Sequence, residues 1–113
     1  MNNPVANRIR YPLEPVHGVS WATKHAVERW KERSGSKKSL LLVAATLEKL
    51  LADSKEAYMD PGDRLAHMLR HDCQPAEVRM AGQYVLVIEG DTVVTVHQNE
   101  RGLVKKGKPP IGR

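Results

Sequence analysis

The chain contains no phenylalanine, a single cysteine and no apolar run long enough to span a membrane. Each absence excludes something. Aromatic residues are confined to Tyr11, Trp21, Trp30, Tyr58 and Tyr84, so the core must be built from Leu, Val, Ala and Met. The single cysteine, Cys73, rules out an internal disulfide and fits a reducing, cytoplasmic setting. A membrane helix needs roughly 18 to 20 consecutive apolar residues, so no membrane association is expected. The opening "MNNPVANRIRYPLEP" has no apolar stretch, and no secretory signal is expected there.

What is present suits one compact domain: 113 residues, with hydrophobic and charged fractions of 41% and 27% that exclude wholesale disorder. The net charge of +5 is unevenly spread. Residues 20–38 carry six Lys or Arg against two Glu, and the tail from Arg101 carries five bases and no acid. Residues 39–100 carry five bases against ten acids. Such one-sided charge favours a polyanionic partner, RNA or another nucleic acid. The bland alternative is a solubilising surface with a floppy tail.

Three segments follow from composition. Pro4, Pro12 and Pro15 make residues 1–19 an extended arm. Residues 20–100 form a single α+β domain, and the Gly-, Pro- and Lys-rich residues 101–113 form a basic, flexible tail. A first helix starts at Ser20 or Thr23 and ends at Ser34, with Gly35 as its stop. Ala22, Ala26 and Trp30 share its buried face, with Val27 at the edge. His25, Arg29 and Arg33 climb a neighbouring strip, at the rim of a groove. "SLLLVAATLEKLLADS" is a core helix, with Leu40, Val43, Ala44, Leu47, Leu50 and Leu51 inward and Ser39 as cap. A third helix is expected from Asp60 to near Asp72, so two or three helices precede the sheet.

The remainder reads as antiparallel β: "AEVRM", "YVLVI" and "TVVTV", divided by "AGQ" and "EGD". A turn at Gly90-Asp91 pairs Glu89 with Thr92, Ile88 with Val93, Leu86 with Thr95 and Tyr84 with His97. In that register Val85, Val87, Val94 and Val96 form the face that takes the helices. Tyr84, Thr95 and His97 then cluster at one end of the opposite face, so His25 has to reach them around a sheet edge.

Those two groups together hold the parts of a metal-independent ribonuclease. Transesterification needs a base for the 2′-OH, an acid for the leaving oxygen and cations around the charged phosphorane. Histidine suits proton transfer near neutral pH, and arginine offers phosphate a planar, two-pronged donor. His25 and His97 are the proton-transfer pair, with the order of base and acid open. Arg29 and Arg33 hold the phosphate, and Thr95 and Tyr84 donate hydrogen bonds. Singly, each of these residues is an ordinary surface or strand residue. Both arginines have Glu28 and Glu32 nearby as bland partners, in pairs worth about 0.3–0.5 kcal/mol.

"HAVERWKERSG", a Leu-rich helix and a terminal "VVTVHQ" strand together resemble the small bacterial and phage domains called DUF4258. Those domains are similar to the wider barnase, EndoU, colicin and RelE-like group of metal-independent ribonucleases, many of them toxins. Spanning residues 20 to 98, the resemblance implies helices on a C-terminal sheet and RNA cleavage without metal or cofactor. It also implies an inhibitory protein partner, and a site drawn from His25, Arg29, Arg33 and Thr95 with His97 adjacent.

A rival site lies in "HMLRHDC", where His67 and His71 have the i, i+4 spacing of two zinc ligands and Cys73 follows. It lacks a paired-cysteine or H-E-x-x-H motif, so no metal is expected. Three functional readings stand: the endoribonuclease, a non-catalytic phage or bacterial modulator binding nucleic acid or a host protein through its basic helix and tail, and an antitoxin-like partner using the acidic middle segment.

Overall fold

A computed structural model describes residues 9–59, 77–99 and 104–108. Strands β1 (Arg10–Val16) and β2 (Val19–Thr23) come first, then helices α1 (Lys24–Ser34) and α2 (Leu40–Asp53). Strands β3 (Lys55–Met59), β4 (Glu77–Ala81), β5 (Tyr84–Glu89), β6 (Thr92–Gln98) and β7 (Val104–Lys106) follow. The fold is α+β. All seven strands join one sheet in the order β1-β2-β6-β5-β4-β3-β7, antiparallel except where β2 runs parallel to β6. The expected third helix, with His67, His71 and Cys73, lies outside the described residues.

Part of the expected arm is therefore built into the sheet. Pro12 and Pro15 lack the N–H of a central strand, and β1 is an edge strand where that costs least. His17 and Gly18, both at positive φ (54° and 76°), form the two-residue turn that folds β1 onto β2. At the other edge Val104–Lys106, expected in the flexible tail, pairs with β3. β3 itself, "KEAYM", lies in a stretch where no strand is expected. Its pairing with β4 and β7 makes it a strand.

Helix boundaries follow local chemistry. The Thr23 side chain accepts from the Ala26 N–H at 3.0 Å, and Gly35 closes α1 at φ 70°, a left-handed position that suits glycine. Ala26 and Val27 are fully buried, and so is Ala22, which lies in β2 and not on the expected helix face because Val19–Thr23 is a strand. Val43, Ala44, Leu47 and Leu51 of α2 are buried too, while Leu40 and Leu50 pack at the margin. Trp30 ties the layers together. Its indole N–H donates to Thr46 at 3.1 Å, and its ring meets Tyr84 edge-on at 4.9 Å.

The sheet register departs from the expected one at a single residue. Ile88 opposes Val93, but Val87 opposes Thr95, so Val94 is an extra residue in β6: a β-bulge. Beyond it the pairs are Leu86 with Val96, Val85 with His97 and Tyr84 with Gln98. The helices rest on Leu86, Ile88, Val93 and Val96. Val85 and Val87 face away, into a second cluster with Val78, Met80 and Val104. Of the four valines assigned to the helix face only Val96 is there: Val94 joins Val85 and Val87 in the second cluster, and Val93 takes the helix side. Both faces are apolar in β5, so composition had no contrast to read.

Thr23 also secures the bulge. Its hydroxyl donates to the Val94 carbonyl at 3.3 Å, so one buried side chain caps α1 and holds the backbone of β6. Thr23→Val is expected to lose both bonds at little change in volume, costing about 1–2 kcal/mol in chemical denaturation.

Candidate functional site

The sequence-derived site divides between the two sides of the sheet. His25, Arg29 and Arg33 stand on α1, which packs on the Leu86 side. Thr95 and His97 oppose Val87 and Val85, on the other side. Tyr84 does the reverse of what the regular register implies: it packs on the helix side against Trp30. Its hydroxyl makes a long contact of 3.5 Å to the Arg33 carbonyl, a packing role for α1. His25 and His97 therefore do not share a pocket, and the six residues are not one constellation. The physical reason is the bulge, which puts Tyr84 and His97 on opposite faces.

His97 is half-buried, with Nδ1 3.0 Å from the Gln98 carbonyl. A carbonyl only accepts, so Nδ1 carries the proton and Nε2 keeps its lone pair in the neutral ring. Thr95 is half-buried beside the bulge.

What the fold does assemble is an open groove of about 460 Å³ on α1, lined by His25, Glu28, Arg29, Lys31, Glu32 and Leu40. Helical spacing explains the membership: Glu28 and Arg29 stand three and four residues after His25, and Glu32 three after Arg29. Leu40, the first residue of α2, closes one end. His25 and Arg33 are exposed and Arg29 half-buried, so the strip reaches solvent. Arg29 is committed to Glu32, N–O 2.9 Å, the bland pairing that the sequence offers. Arg33 does not line this groove. From the sequence Glu28 and Glu32 are expected only as partners for arginine, although the same i+3 spacing sets Glu28 beside His25.

Chemically the groove has two cations, two carboxylates and an imidazole at an open surface. The two carboxylates balance the two cations, and Arg29 can meet an incoming anion only by leaving Glu32. The groove also places one carboxylate and one imidazole on adjacent turns. No family model, curated protein or solved structure matches this chain.

Proposed function

We propose that the protein binds nucleic acid, RNA in the first instance, by its phosphate backbone, through the α1 groove and the basic segment around it. The observation that carries this reading is the gathering of His25, Arg29 and Lys31 on one open groove. Arg33 and Lys38 stand exposed on the same helix and the loop after it. Phosphate contacts dominate because the groove has no aromatic side chain on which a base would stack. The test is anisotropy titration with a labelled single-stranded RNA over a series of salt concentrations. Affinity should fall linearly with salt on logarithmic axes, the slope reporting the number of phosphates neutralised. Binding that ignores salt would sink the proposal.

A second reading, metal-independent endoribonuclease, is supported by Glu28 sharing the groove with His25 and Arg29. On this reading Glu28 and His25 move the two protons and Arg29 steadies the phosphorane; His97 and Thr95 take no part. An inhibitory partner would then cover the groove. Incubation with RNA in the presence of a chelator decides it. Cleavage that His25→Ala and Glu28→Gln each abolish, and His97→Ala leaves intact, establishes this site. Absence of cleavage alongside salt-dependent binding leaves the protein a binding module.

A further inference from the structure

Helix α2 is apolar on the side that faces away from the core as well as on the side that faces it. Leu41 and Leu42 are 66% and 55% exposed, and with Ile9 they are the exposed large hydrophobics among the described residues. At 100° per residue, Leu41, Ala45, Lys49 and Ala52 form one outward stripe with Leu42 and Asp53 on its flank. Ala45, Lys49, Ala52 and Asp53 are all exposed. Two neighbouring exposed leucines beside two exposed alanines make an apolar patch of the kind that marks an interaction surface.

A second, independent feature says what covers it. Three charges at the ends of α2 oppose its dipole, and Lys55, just past the C-terminal cap, suits it. Lys37 and Lys38 precede the positive N-terminal end, and Asp53 sits at the negative C-terminal end. The first turn has no acid and the last turn no base. Lys37 and Asp53 have no ion-pair partner among the described residues. Lys37, Lys38 and Asp53 gain nothing from their own helix, whereas an antiparallel copy of it brings the opposite sign to each end.

We infer that the outward face of α2 pairs antiparallel with α2 of a second copy of this chain, around a two-fold axis near Ala45. In this pairing Lys37 meets Asp53 of the second copy and the reverse, and Leu41 lies under the aliphatic stem of its Lys49. The small Ala45 at the axis lets the two helices approach closely. Each N-terminal dipole end meets a C-terminal one. A two-fold interface must be self-complementary, and an apolar patch with a base before the helix and an acid at its end has that property. Leu40 connects the two surfaces: it begins α2 and closes the α1 groove, so dimerisation sets two grooves beside one interface. The pairing stands whether or not the groove binds nucleic acid.

Sedimentation velocity on the full chain, from low to high micromolar concentration, is the test. A monomer–dimer equilibrium is expected, and Leu41→Glu should abolish it while the circular dichroism spectrum stays folded. Lys37→Glu and Asp53→Lys should each weaken the dimer about tenfold or more. Each also suits the dipole of its own helix end, so neither should lower the monomer's melting temperature. Combined, Lys37→Glu with Asp53→Lys should restore the dimer, since the swapped charges meet again. A chain that stays monomeric throughout, a dimer indifferent to Leu41→Glu, or a double variant no better than the singles overturns the inference.

Discussion

Replacing Arg29 and Arg33 together by alanine should weaken RNA binding by about tenfold to a hundredfold and lower the salt slope by about 1.4 on a single strand. Each arginine lost removes one phosphate contact and the counterion released with it. The fold should survive. Arg29 gives up only its 2.9 Å pair with Glu32, an exposed i, i+3 contact worth about 0.3–0.5 kcal/mol. Glu32→Gln should move affinity the other way by a few-fold, because it frees Arg29 and removes a negative charge from the groove. His97→Ala, on the opposite side of the sheet, should leave affinity unchanged. Titrations of these variants against one RNA separate a local groove from general attraction to a basic protein. Equal losses from Arg29→Ala and from removal of any distant lysine would argue for the latter.

The largest effect on stability should come from Leu47→Ala. Leu47 is fully buried in α2, within the cluster that joins both helices to Leu86, Val93 and Val96. Truncation loses the transfer free energy of the missing carbons and leaves a cavity that packed neighbours fill only in part. About 3–4 kcal/mol is expected from urea denaturation, with a fall in melting temperature of roughly 10–15 °C. Leu41→Ala on the same helix should change the melting of dilute monomer by about 0.5 kcal/mol or less, since that side chain is already in water. A Leu47→Ala protein as stable as its parent would mean that α2 does not organise the core.

The two helices were legible because their signals are local. Thr23 and Gly35 bracket α1 by hydrogen bonding and backbone geometry, and the spacing of Val43, Ala44, Leu47 and Leu51 declares the inner face of α2. The strands β4, β5 and β6 declare themselves by β-branched runs and by Gly90, whose φ of 61° fits a two-residue turn. β1, β2, β3 and β7 did not: "VSWAT" runs straight into a helix start, and a proline-bearing edge, "KEAYM" and "VKK" carry no strand pattern of their own. They are strands only by virtue of a neighbour to pair with.

For the site, the split is sharper. By itself the sequence determined that His25, Arg29 and Arg33 lie on one strip of one helix, because a period of 3.6 residues leaves them nowhere else to go. It also determined that Val43, Ala44, Leu47 and Leu51 share the inner face of the second helix. Only the tertiary structure decided which side of the sheet receives that helix and which face carries Thr95 and His97. One unpaired residue, Val94, turns every later side chain of β6 over. A strand with valines and threonines on both faces holds no record of that choice; long-range pairing makes it.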